Sequence, residues 1–206
     1  MDKATSLTTA YYNKKAEELT IKFNEHFEKR VQPYAEVFID NYQGCSVPKL
    51  LDLGSGPGRH GRFFATQVPI QVVCLDLSMA MTKQTHKVGL PTIQADMRRL
   101  PLSSHSFDLV WAYASLLHIP RVDIPLVLDE VARILSPAGL FGLAVKEGKG
   151  EAWDTDETNS TIMRRFTLFT DDEMRGILNS HFRIFFSRIE PPNPRTVWLN
   201  YLCRKK

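Results

Sequence analysis

The sequence predicts an α/β fold: a seven-stranded, mostly parallel sheet with an antiparallel C-terminal strand and helices on both faces. Three observations carry this. From residue 49 to 145, apolar runs of strand length alternate with helix-length segments. The first run leads straight into a glycine-dense turn, KLLDLGSGPGRHGRFF over residues 49–64. The last two runs, 182–189 and 196–203, follow each other with no helix between them, which predicts an antiparallel pair.

Each element has its own signal. Residues 9–41 read as helix, with Leu19, Phe23, Phe27 and Val31 at roughly helical spacing and Pro33 placed to break or kink it. Residues 41–48 form a turn-rich linker. Residues 49–53 are the first strand and 59–67 a helix. Residues 70–75 are β-branched and apolar, hence a buried strand. Ser78 is a good N-cap for a helix through about Lys87. Short strands follow at 91–95 and at 106–113, the latter containing FDLVWAY. In 121–135, Val122, Leu126, Val127, Val131, Ile134 and Leu135 form one helical stripe. Ser136-Pro137-Ala138-Gly139 stops that helix, and 140–145 is the next strand. Thr170-Asp171-Asp172-Glu173 opens the last helix, with acids in the turn where the macrodipole favours them. The proline-rich turn 191–194 joins the final two strands.

Bulk properties narrow the function classes. The chain has 206 residues, enough for one domain with a lid or extension. A net charge of +3, part of it in the tail Arg204-Lys205-Lys206, makes no case for a nucleic-acid partner. The three cysteines, Cys45, Cys74 and Cys203, are odd in number and lack metal-ligand spacing, so no metal is expected and a cytoplasmic setting is. The opening MDKATSLTTA has no apolar signal core, and no apolar run is long enough to span a membrane.

Strand, glycine turn and helix in that order make a nucleotide-binding corner. Two glycine registers compete. Gly56, Gly58 and Gly61 spell the dinucleotide fingerprint, but Gly54 already begins the turn and Gly61 falls inside the helix. Gly54, Gly56 and Gly58 follow the strand directly. Asp52, just before the turn, would repel a pyrophosphate and attract a cationic group such as an ammonium or a sulfonium. This disfavours a nicotinamide-dependent oxidoreductase. Asp76 ends the second strand, where an acid can accept both ribose hydroxyls. Asp96 ends the third, placed to accept from an adenine amine, with Met97 and Met81 available to cover the ring.

These stretches carry a resemblance. LDLGSGPG, CLDLS with Met81, QADMRRLPLSSHSFDLVWAYASLLHI and EVARILSPAGLFGLAV, in that order, resemble the motif run of class I S-adenosylmethionine-dependent methyltransferases, in particular the broad ubiquinone-biosynthesis-like group. The resemblance runs from about Tyr11 to Cys203. It implies a Rossmann-like core, S-adenosylmethionine as cofactor with S-adenosylhomocysteine as product, and a small-molecule methyl acceptor. It also implies that an N-terminal segment folds over the cofactor. Carried onto this chain, it gives Tyr12, Asp52, Gly54, Ser55, Gly56, Gly58, Asp76, Leu77, Met81, Asp96, Met97 and Ala112 as cofactor-binding residues. Two departures are small: Ala138-Gly139 where the family usually has two glycines, and Ser55 where it often has cysteine.

Methyl transfer from a sulfonium asks the protein mainly for orientation and a dry pocket. A base is needed only for a nucleophile that arrives protonated. His118, after the fourth strand at the carboxyl edge of the sheet, is the base expected for that case. Residues 147–169 are long, polar and charged, with Trp153, Phe166 and Phe169, and read as a substrate lid in which Lys146, Arg164 and Arg165 meet an acidic group. The expected organisation is one domain over 1–206: a helical cap to 45, a cofactor-binding core over 46–146, a lid over 147–169, and a C-terminal helix and hairpin over 170–206. The rivals are an RNA-modifying methyltransferase and a cofactor-binding partner subunit without catalysis.

Overall fold

The computed structural model describes residues 2–24, 31–44, 47–67, 69–155, 162–193 and 196–206. Cys45, Phe27, Pro194 and the side chain of Phe23 lie outside the described residues.

Among the described residues the chain opens with α1 (Lys3–Asn24) and α2 (Gln32–Asp40). Pro33 sits in the first turn of α2, where its missing N–H has no partner to lose, so it starts a helix instead of kinking one. Then come β1 (Lys49–Leu53), α3 (Arg59–Gln67), β2 (Gln71–Asp76), α4 (Met79–Lys87), β3 (Thr92–Gln94) and β4 (Phe107–Tyr113). Two short 3₁₀ turns, Leu116–His118 and Arg121–Asp123, lead into α5 (Ile124–Ile134) and β5 (Leu135–Lys146). The second half of the chain adds β6 (Glu151–Thr155), β7 (Met163–Thr167), α6 (Asp171–Leu178), β8 (Phe182–Asn193) and β9 (Thr196–Lys205).

The main sheet has seven strands in the order β3-β2-β1-β4-β5-β9-β8. Pairs among the first five are parallel; β9 runs antiparallel to both β5 and β8. The expected terminal hairpin is present, but its second strand lies inside, between β5 and β8. The expected lid contains a separate two-stranded antiparallel sheet, β6 with β7. The helix-stopping segment 136–139 is absorbed into β5, whose register against β4 shifts between Phe107 and Leu109.

Side-chain alternation sorts the strands onto two cores. Leu50, Val72, Leu109 and Trp111 pack with Tyr34 and Phe38 of α2 and Phe63 and Phe64 of α3. Leu51, Leu53, Val110 and Ala112 pack on the other face with α5 and α6. Each fully buried leucine of β1 contributes about 2 kcal/mol, so β1 is held on both faces up to the glycine turn. The Thr170 cap is as expected: its hydroxyl accepts from Glu173 N–H, and Glu173 accepts from Thr170 N–H at 2.8 Å.

Candidate functional site

β1 lies between β2 and β4, so the strand order reverses at β1 and a crevice opens beyond the carboxyl ends of β1 and β4. A cavity of about 360 Å³ occupies that place. This is the size range of small-molecule pockets, about 300–1,000 Å³.

The glycine turn forms one wall. Gly54 and Ser55 N–H both donate to Leu75 C=O, which folds the turn back onto β2. Gly54 has φ +76°, and a Cβ there would stand 2.3 Å from Ser115 Cβ, so only glycine lets the turn approach the loop after β4. Gly56 faces open space. Its N–H donates to Asp76 Oδ2 at 2.9 Å, and Ser78 N–H donates to Oδ1 at 2.8 Å. Asp76 therefore has fixed oxygens at the cavity wall, and burial raises its pKa against those bonds. The Ser115 hydroxyl also lines the cavity, is buried, and has no hydrogen-bond partner among the described residues. A cavity with an orphaned hydroxyl, an open glycine backbone and a fixed acid at the end of β2 fits a nucleoside carrying hydroxyls.

Asp52 corrects the sequence reading. It lies two residues after Leu50 on β1 and shares its face, so its side chain points to the side covered by α3. It is 1% exposed, is not among the lining residues, and accepts from Gly61 N–H of α3 at 2.9 Å. Burial pushes its pKa to about 7, with that hydrogen bond opposing and Asp76 adding to the rise. It ties strand to helix and does not touch the cavity. Gly58, Met81 and Ala112 are likewise not in the lining. A Cβ on Gly58 would press on Thr85, Met81 is buried against Tyr11, Ala16 and Leu19, and Ala112 faces the second core. The expected residues that do meet at the cavity are Tyr12, Gly54, Ser55, Gly56, Asp76, Leu77, Asp96, Met97 and His118.

Asp96 holds a second corner together with Arg98, whose Nε and Nη2 donate to its carboxylate. Burial alone would raise the Asp96 pKa, but the Arg98 bonds hold it below the usual range. Arg98 Nη1 also reaches Asp2, just before α1, at 2.9 Å and Asp123 at 2.7 Å. Helix α1 is tied further along its length. Asn13 accepts from Ser78 Oγ at 2.7 Å, and Thr8 accepts from Arg165 N–H at 3.1 Å.

Tyr12 brings α1, the loop after β4 and β7 together. His118 Nδ1 faces Arg165 C=O at 2.7 Å. A carbonyl only accepts, so Nδ1 carries the proton and Nε2 is the acceptor. Tyr12 O–H donates to Nε2 at 2.6 Å, and Arg164 Nη1 donates to the same phenol oxygen at 3.2 Å. Burial pushes the His118 pKa down to about 3; the bond to Arg165 opposes this, and the charges of Arg164, Lys146 and Arg165 reinforce it. His118 is thus neutral, but its free lone pair is already engaged by Tyr12. Alternation along β7 puts Arg164 and Phe166 in the cavity lining and leaves Arg165 out.

Sequence reasoning did not find Thr5, Thr8, His60, Tyr113, Ser115 or Trp198, which also line the cavity. Ser115 had a signal, since it follows β4 at the crevice edge. Trp198 had none, because its place depends on β9 inserting beside β5.

Residues 50–139 match the family model described as a methyltransferase domain. Over 99 residues the chain is 32% identical to a glycine/sarcosine/dimethylglycine N-methyltransferase of Actinopolyspora halophila, covering 44% of this chain and 17% of that protein. Over 77 residues it is 38% identical to a malonyl-[acyl-carrier protein] O-methyltransferase of Legionella pneumophila, covering 34% of this chain and 27% of the other. The chain thus spans under a third of the length of either. The structure of a Burkholderia thailandensis 1,6-didemethyltoxoflavin-N1-methyltransferase, with 1,6-didemethyltoxoflavin and S-adenosylhomocysteine bound, superposes with TM-score 0.77 at 19% identity, covering 98% of this chain and 88% of that one. The fold is that of the class I S-adenosylmethionine-dependent methyltransferases.

Proposed function

We propose that the chain is a single S-adenosylmethionine-dependent methyltransferase domain that moves a methyl group to a small-molecule acceptor by in-line displacement. The observation that carries this is the cavity at the switch point, where the Gly54–Gly56 turn, Asp76 and the orphaned Ser115 hydroxyl converge. Asp76 is assigned the ribose hydroxyls, Asp96 the adenine amine, and Leu77 and Met97 the faces of the base. Ser55 and the open backbone at Gly56 take the amino-acid end, and Tyr12 closes over it from α1. When bound, S-adenosylmethionine supplies the activated methyl group.

The chain's own part is to orient the acceptor, exclude water and, for a protonated nucleophile, move one proton. Tyr12 and His118 are assigned that last role. The phenol oxygen accepts from the nucleophile while its own proton passes to His118 Nε2. A base with a pKa near 3 takes a proton only late, as the nucleophile becomes acidic by bonding to carbon. His118 therefore acts through Tyr12, a change from the direct base suggested by its position in the chain.

Within the class, the motif run resembles that of the broad ubiquinone-biosynthesis-like group. A cytoplasmic setting accords with Cys74 and Cys203, both buried free thiols. No helix among the described residues is long and apolar enough to cross a membrane.

The test is incubation of the protein with methyl-labelled cofactor and a metabolite extract, followed by mass identification of the product. A labelled small molecule supports the proposal, and its structure names the acceptor atom. Label confined to RNA, or cofactor binding without any labelled product, would replace it with one of the two rivals.

A further inference from the structure

The cavity is polar at both ends, with opposite signs. Asp76 and Asp96 stand on the side of β2 and β3, while Lys146 and Arg164 stand at the end of β5 and on β7. Arg164 is already engaged: Nε and Nη2 donate to Asp154 at 2.9 and 2.8 Å, and Nη1 donates to Tyr12. Lys146 is different. Its Nζ lies 3.6 Å from the Phe166 ring centroid and 6.0 Å from that of Trp198, and Trp198 stacks on Tyr113. Among the described residues, the ammonium has these ring faces and no carboxylate or other acceptor within bonding distance. An ammonium carries three donors, and ring faces give only about 0.5–2 kcal/mol. Burial and the charge of Arg164 lower its pKa, and Asp154, which is bound to Arg164, opposes this only in part, so the ammonium has no counter-charge of its own.

We propose that Lys146 seats an oxyanionic group of the methyl acceptor, with Tyr113, Phe166 and Trp198 as walls for an apolar or aromatic body. This rests on the methyltransferase reading and narrows it to anionic acceptors. The ammonium is a compact point charge on a strand end, so it suits a carboxylate or a phosphate ester alike. The oxyanion could come from the acceptor or from the amino-acid carboxylate of the cofactor. The position of Lys146 on β5, two strands from the glycine turn on β1, assigns it to the acceptor.

The experiment is calorimetry on the full chain saturated with S-adenosylhomocysteine. The probes are arylcarboxylates and aryl phosphates of increasing length, each paired with its primary amide or parent alcohol. The proposal expects the anionic member to bind at least about tenfold tighter, which is about 1.4 kcal/mol. Lys146→Met should abolish that preference, Lys146→Arg should keep most of it, and both should bind S-adenosylhomocysteine within about threefold of wild type. Equal binding of the paired probes overturns the proposal, as does a preference that survives Lys146→Met. Failure of every anionic probe to bind at millimolar concentration overturns it too. Loss of S-adenosylhomocysteine affinity in Lys146→Met would reassign the lysine to the cofactor. A wild type that does not bind S-adenosylhomocysteine fails the methyltransferase reading separately, and the same paired probes then read Lys146 in the cofactor-free protein.

Discussion

Replacing Asp52 with asparagine should flatten the dependence of stability on pH. In the folded chain Asp52 is 1% exposed, and burial holds its pKa at about 7, against 3.8 for an open carboxyl. A raised carboxyl pKa means that the folded state binds the proton more tightly than the unfolded one. Its contribution is therefore full below the unfolded value and is lost as pH rises through the folded value. Each unit of difference corresponds to about 1.4 kcal/mol. Between pH 5 and pH 8, wild type should lose on the order of 2–3 kcal/mol from this group. Asparagine can still accept from Gly61 N–H but does not ionise. Its extra N–H₂ donors add an offset of about 1–3 kcal/mol that does not change with pH. The readout is thus a slope: denaturant midpoints of both proteins at pH 5, 6, 7 and 8, with the difference moving in favour of Asp52→Asn as pH rises. A difference that stays constant across that range refutes the buried, proton-binding Asp52. Cofactor affinity in the same variant should change little, since the side chain faces α3.

Other perturbations test other parts of the site. Gly54→Ala places a Cβ against Ser115 at a positive φ and should destabilise by about 2–4 kcal/mol in urea unfolding; a variant as stable as wild type contradicts the turn geometry. Tyr12→Phe and His118→Ala should each lower kcat by about 10²–10⁴ with a protonated acceptor, while S-adenosylhomocysteine affinity falls far less; equal turnover removes the proton path. Arg98→Met leaves Asp2, Asp96 and Asp123 without their shared cation and should destabilise by about 2–4 kcal/mol at neutral pH. Asp2 and Asp96 have lowered pKa values, so that gap should shrink as pH falls through the carboxylate range; a gap independent of pH contradicts the ion cluster.

The alternation of strands and helices made the parallel half of the sheet readable, because buried parallel strands are continuous apolar runs and their crossovers are amphipathic. The glycine turn, Asp76 and Asp96 were readable for the same reason, since each sits at the carboxyl end of a strand. Asp52 was misread because sequence shows that an acid precedes the turn but not which face it points to. The register that sets Leu50, Asp52 and Cys74 under α3 is a three-dimensional fact. Met81 shows the same limit: a methionine beside a nucleotide site and a methionine packed on Tyr11 look alike in one dimension. The Tyr12–His118 pair joins residues 106 positions apart, and Lys146 meets Trp198 only because β9 pairs with β5. Neither pairing leaves a local signal.

The central claim is that the switch-point cavity binds S-adenosylmethionine through Asp76. Calorimetric titration of the cofactor into wild type and Asp76→Ala, with melting curves to verify that both are folded, tests it most directly. The account predicts one site per chain in wild type and an affinity weakened by at least about tenfold, about 1.4 kcal/mol, in a folded variant. Unchanged affinity in Asp76→Ala, or no binding by wild type, would contradict it.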